Sequence, residues 1–212
     1  MAQQQNISSE VLHPENFDSR SYVIGRQISR IFHPILLNIA AFIIVGFYAF
    51  DNRVEGFLWT GICMLTQIVP TTIFYTIRLR QGAYADEDVS VRQQRNELYL
   101  FGLATILIGI ALLLPFGLPT PLLALLICGF ALGCLGGFIN LFWKISVHAA
   151  SIASTATIAF LFSYTLGVTL WLCALTVGWA RVRTNNHSPL QVLGGFVMAA
   201  IVVVGVFSLL LR

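Results

Sequence analysis

The sequence predicts an all-α, polytopic transmembrane bundle of about seven spans, six at the fewest. Three observations predict it. Of the 212 residues, 57% are hydrophobic and only 10% charged, and the mean hydropathy of +0.82 lies well above that of water-soluble domains. The few charges are gathered at intervals, leaving long runs with none. Those runs are continuously apolar and lack the strict alternation of barrel strands, so helices must satisfy the backbone hydrogen bonds in lipid.

The chain divides into a polar tail with a membrane-proximal segment, 1–30, and a transmembrane domain, 31–212. The first 20 or so residues, rich in Gln, Asn, Ser and Glu, lack the basic start, short apolar core and small-residue cleavage site of a signal peptide. Ser19 to Arg30 mixes arginines with Tyr22, Val23, Ile24 and Ile28, which fits an interfacial helix or a plain juxtamembrane linker.

Ile31 to Phe50 and Gly56 to Ile77 are each free of charge and match the ~20 residues of one crossing. Leu98 to Trp143 is also uncharged. As one helix at ~1.5 Å per residue it would be about twice the ~30 Å hydrocarbon thickness, so it must fold back. Pro115, Gly117, Pro119 and Pro121 supply the break, giving spans near 98–115 and 120–142. Ile145 to Ala180 is again too long for one crossing, and a turn within Ser163 to Gly167 divides it into spans near 148–163 and 168–183. Thr184 to Leu211 leaves a last span from about Pro189.

Cys63, Cys128, Cys134 and Cys173 all fall inside these spans without the close pairing of a zinc site, and read as small packing residues. Seven crossings put Arg20, Arg26, Arg30, Arg78, Arg80, Arg92, Arg95, Lys144, Arg181 and Arg183 on one side, against Arg53 and Arg212 on the other. By the positive-inside rule the basic side is cytoplasmic, in a multi-pass protein of the cell membrane. The bilayer is the expected partner, and no nucleic acid is expected.

Ionisable groups at a membrane surface that cluster at one depth point to function. Three clusters share the basic side: the loop from Arg78 to Glu97, the segment Trp143 to His148, and the segment Ala180 to Gln191. Two histidines, several cations and a serine suit phosphoryl transfer, where positioning and charge neutralisation dominate. Imidazole titrates near neutrality and serves as nucleophile or acid. Taken singly, each residue is more simply a helix cap or a snorkelling anchor. Asp86, Glu87 and Asp88 read as a solvated acidic loop in preference to a magnesium site.

Ala180-Arg181-x5-His187-x3-Gln191 resembles the third signature of the type 2 phosphatidic acid phosphatase superfamily, Ser-Arg-x5-His-x3-Asp. Ile145-Ser146-Val147-His148 resembles its second, Pro-Ser-Gly-His, in the right order and joined by a helical hairpin. Arg92-Gln93-Gln94-Arg95 stands where the first signature, a lysine six residues ahead of Arg-Pro, is expected. Ile31-Phe32-His33-Pro34 and Lys144 are similar to features of a bacterial branch of these phosphatases.

The resemblance implies a metal-independent lipid phosphatase with no cofactor, acting on a lipid phosphate or an isoprenyl phosphate or diphosphate. It implies His187 as a nucleophile forming a phosphohistidine, His148 as the acid for the leaving group, and Gln191 as the partner of His187. Arg181 and Ser146 would bind phosphate, with Lys144, Arg92 and Arg95 as further cations. Gln191 stands where the usual signature has aspartate, as it does in the His-x-Pro-x-Gln-Val of glucose-6-phosphatases, so it can orient an imidazole but not neutralise it by charge. Ile145 and Val147 replace Pro and Gly. These departures keep two alternatives open: a non-catalytic lipid-phosphate binding or transport protein on the same fold, and, through the Asp86–Asp88 run alone, a magnesium-dependent prenyl-transferring enzyme.

Overall fold

The computed structural model describes residues 19–211. The tail up to residue 18 and Arg212, both invoked above, lie outside the described residues. Eight α-helices occur among the described residues: α1 (Arg20–Ile31), α2 (Pro34–Tyr48), α3 (Arg53–Arg80), α4 (Arg95–Leu113), α5 (Thr120–Asn140), α6 (Val147–Phe162), α7 (Tyr164–Arg183) and α8 (Pro189–Leu210). No strand occurs among the described residues.

Five helices, α3, α4 (with its flanking 3-10 turns), α5, α7 and α8, are long and apolar enough to cross a membrane. The pair α1 and α2, bent by 42° at Phe32 and His33, makes a sixth if counted as one span. Outward-facing Leu58, Leu65, Leu107, Leu172, Leu193 and Ile201 are all exposed. An apolar exterior of this kind fits lipid as the surrounding solvent, and the architecture is consistent with a multi-pass membrane protein.

The breaks follow local chemistry. Gly117 takes the left-handed backbone (φ 82°) that ends the turn after α4, and Pro119 with Pro121 starts α5. Ser163 alone, extended at φ −151° and ψ 108°, separates α6 from α7, so α7 starts four residues earlier than the sequence suggests. Gly167 is the reason the hairpin closes so tightly: a Cβ there would sit 2.3 Å from the Phe160 Cα. Small side chains at such crossings let membrane helices approach closely.

At 16 residues, α6 would be about 24 Å long, shorter than the ~30 Å hydrocarbon layer. It is also the most enclosed helix, with Ala149, Ile152, Ala153, Ala156, Ile158 and Ala159 buried against α2, α7 and α8. A short helix is tolerated there because most of its length, from His148 to Ala159, is packed against protein, with only Phe160 and Leu161 exposed at its far end. One apolar core, with Phe42, Leu122, Ile158 and Phe207, fills the bundle near the α6–α7 turn. A second, around Leu37, Ile152, Ala174 and Val177, lies toward the other end of α6. That other end is where the polar clusters meet.

Candidate functional site

The site grows from four chain breaks that the bundle brings to one end. Ser146 caps α6, its buried hydroxyl accepting from the Ala149 amide at 3.3 Å. His148 follows in the first turn, so its ring is fixed by the helix start. After α7 the segment Thr184–Ser188 reverses the chain: Asn185 is left-handed (φ 54°), which asparagine tolerates, and the amides of Asn186 and His187 both donate to the Arg181 carbonyl at 3.2 Å. Ser188 and Gln191 then form a reciprocal capping box at the start of α8. The Ser146 amide donates to the Gln191 carbonyl at 3.4 Å, joining the two helix starts.

Arg181 is almost fully buried in the last turn of α7, at 1% exposure. Its Nη1 lies 2.8 Å from Oδ2 of Asp88, in the loop between α3 and α4. Oδ1 of the same carboxylate lies 3.8 Å from the His148 Nε2, and the Asn186 amide donates to Oδ2 at 3.2 Å. Two buried nitrogens at this point, Arg181 Nε and His148 Nε2, have no hydrogen-bond partner. Burial pushes the Asp88 carboxyl up, but the Arg181 guanidinium, with His148 and Arg26, holds it below the usual carboxylate range.

His187 lies beside this ion pair and is buried. Its Nδ1 is 3.2 Å from the Gln191 Oε1, which also accepts from the Ser188 amide at 3.1 Å. An oxygen that already faces one N–H presents a lone pair to the other, so Nδ1 carries the proton and Nε2 is left as the free base. Burial, then the charges of Arg181, Arg95 and Lys144, pushes the His187 imidazole down to about 2. It is neutral at physiological pH, as a nucleophile must be.

The other sequence-predicted residues divide. Lys144 sits half-buried in the turn between α5 and α6, near enough for its charge to act on His187. Arg95 is buried and donates from Nε to the Val89 carbonyl at 2.7 Å and from Nη1 to the Ile145 carbonyl at 3.0 Å. It ties the loop carrying Asp88 to the segment carrying Ser146 and His148. Arg92 is not brought to the cluster: its Nη1 donates to the Asn140 carbonyl at 2.6 Å, and Asn140 donates back to the Arg92 carbonyl at 3.0 Å.

Three contributors are given no site role by the sequence. Asp88, read as part of a solvated acidic loop, is instead drawn into the site with its side chain 19% exposed, because Arg181 and Asn186 bind it there. Asn186 lies within the Ala180–Gln191 cluster, and its amide reaches Asp88 only through the fold. His33 caps α2 through Nδ1, which accepts from the Ile35 amide at 3.3 Å, and its ring meets His148 edge-on at 5.8 Å between centroids. The helix-capping His-Pro pair at the basic end was the available signal for His33. Nothing local marks Asp88, since its partners are about ninety residues away. Among the described residues, no three His, Cys, Asp or Glu side chains form a group suited to a metal ion.

A cavity of about 290 Å³ opens into the bundle, and none of Asp88, His148, Arg181 and His187 lines it. Ile145 and Val147, which flank Ser146, line one part of it, and Phe42, Leu125, Cys128 and Met198 line others. Along α5 its lining runs from Gly136 to Leu125, about 16 Å at ~1.5 Å per residue, which is roughly half the bilayer core. No protein-family model, curated protein or solved structure matches this chain.

Proposed function

We propose that this chain crosses the membrane seven times and is a lipid phosphatase resembling the type 2 phosphatidic acid phosphatases, cleaving a lipid or isoprenyl phosphate through a phosphohistidine on His187. The observation that carries the reading is the convergence of Arg181 and His148 on one carboxylate, with two buried nitrogens left unpaired around it. A carboxylate held by a guanidinium, an imidazole and an amide stands in for a phosphate group at that position.

In this mechanism Arg181 and Asn186 hold the phosphate oxygens, and the starts of α6 and α8 add the positive ends of two helix dipoles. His187 attacks phosphorus through Nε2, forming the N–P bond, while Gln191 keeps the proton on Nδ1. The P–O bond to the lipid breaks, and His148 donates a proton to the departing oxygen. Water then attacks the phosphohistidine with His148 as base, releasing inorganic phosphate and restoring His187. Charge on the equatorial oxygens is met by Arg181, with Lys144 nearby. The lipid chain lies in the cavity beside Ile145 and Val147. The basic end of the bundle faces the cytoplasm of the cell in which it sits.

Purified protein is expected to release phosphate from a panel of lipid and isoprenyl phosphates with chelator present, and His187→Ala to abolish it. Full turnover by His187→Ala would reject the mechanism. The second reading, a binding or carrier protein on this fold, is favoured by the neutral Gln191 beside His187. It predicts saturable binding of the same lipids with no phosphate release, unchanged in Gln191→Asp.

A further inference from the structure

The Asp88 carboxylate occupies the position just assigned to substrate phosphate. It is held on several sides. Asp86 accepts from the Asp88 amide at 2.8 Å and from the amide and hydroxyl of Ser90. The Tyr75 hydroxyl donates to the Glu87 carbonyl at 2.6 Å, and Arg95 holds the Val89 carbonyl. Between these anchors Val89 adopts a left-handed backbone (φ 47°), which a β-branched residue rarely takes. The loop is thus held against a local strain with its carboxylate on Arg181.

The fit is incomplete in an informative way. Two carboxylate oxygens engage Arg181 Nη1, Asn186 and, at longer range, His148, and leave Arg181 Nε and His148 Nε2 without hydrogen bonds. A phosphate monoester brings three terminal oxygens and up to two negative charges to the same cradle. A phosphodiester, the headgroup linkage of ordinary bilayer lipids, brings two terminal oxygens and one charge, no more than Asp88 already supplies. An anion site at a membrane surface is surrounded by such diesters, so discrimination against them requires a competitor or a clash.

We propose that Asp88 is a specificity-determining residue: it holds the anion site with a single charge, so that doubly charged phosphate monoesters and diphosphates displace it and the monoanionic phosphodiesters of the surrounding bilayer do not. The proposal rests on the reading that Arg181 and His148 bind substrate phosphate. A monoester gains from both unpaired nitrogens and from the extra charge facing Arg181, whereas a diester exchanges one monoanion for another and gains little.

The test is equilibrium binding to the full chain in detergent at pH 8, every protein, the wild-type reference at position 88 included, carrying His187→Ala so that the monoester is not turned over, with two probes sharing one chain, decyl phosphate and its monomethyl ester, decyl methyl phosphate. The wild type is expected to bind decyl phosphate at least about tenfold more tightly than the diester. Asp88→Asn and Asp88→Ser are each expected to bind the diester at least about tenfold more tightly than wild type, narrowing that ratio. Glu87→Gln, which alters the loop's charge outside the site, should keep the wild-type ratio. A wild-type ratio near one overturns the proposal whatever the variants do, as does a ratio unchanged in both Asp88 variants. Arg181→Ala separates the two claims: if it leaves decyl phosphate binding intact, the phosphate site itself is misassigned.

Discussion

Arg181 Nη1 lies 2.8 Å from Asp88 Oδ2, so the last turn of α7 is fastened to the loop between α3 and α4 by an ion pair that is nearly sealed from solvent. Breaking one half of such a pair leaves an uncompensated charge in a buried place, at a cost of about 3–5 kcal/mol. Arg181→Met is therefore expected to lower the unfolding temperature sharply. Arg181→Met combined with Asp88→Asn is expected to recover part of the loss, with a coupling of at least about 1 kcal/mol in the double-mutant cycle. Thermal unfolding in detergent measures both.

His187 gives the fold an acid sensitivity of predictable sign. Its imidazole is pushed down to about 2 by burial and the neighbouring cations, whereas in an unfolded chain it titrates near 6.5. The unfolded state therefore binds the extra proton between those values, and stability falls as the pH drops below about 6.5. From there to pH 5 this group accounts for up to about 2 kcal/mol. Asp88, whose carboxyl is also held below its ordinary value, acts in the same direction at lower pH. Unfolding measured from pH 7.5 to 5 should show the slope, and His187→Asn should flatten it.

Gln191 fixes the tautomer of His187 through its oxygen, which is also engaged by the Ser188 amide. Gln191→Leu removes that acceptor and is expected to lower kcat at least about tenfold with little change in KM. Gln191→Glu restores an acceptor at the same length and should return most of the activity. A rise in KM with kcat unchanged would mean that the contact only shapes substrate binding.

Much of this arrangement is legible from sequence, and the reasons differ by residue. The middles of helices α2 to α8 fall on the uncharged runs because charge is costly in lipid, the charges of α3, α4 and α7 standing only in their end turns, and Pro115 to Pro121 mark one reversal without help from tertiary contacts. The α6–α7 turn is narrower than expected because the close approach of Gly167 to Phe160 lets one extended serine reverse the chain. His148, Arg181 and His187 are visible as spaced groups at one membrane depth. Asp88 is not: an acidic run in a loop looks solvated until a guanidinium from α7 is placed against it. Arg92 shows the converse, since a basic residue in a promising loop is taken up by the Asn140 carbonyl at the end of α5.

Seven crossings place the two ends of the chain on opposite sides of the bilayer, and six would place them together. Reporter tags at the N- and C-termini, probed in oriented membrane vesicles, should be reached from opposite faces. Single cysteines replacing Gln81 and Asn185 should react from the same face as the N-terminal tag.

The proposed mechanism requires a covalent bond between His187 and phosphorus, and trapping that bond is its most direct test. Protein incubated briefly with a lipid phosphate carrying radioactive phosphorus, then denatured in alkali, is expected to retain label that acid removes. His187→Ala should retain none, and His148→Ala should retain label from a substrate with a good leaving group. Label that survives in His187→Ala, or phosphate release by wild type with no labelled protein at any time, would contradict it.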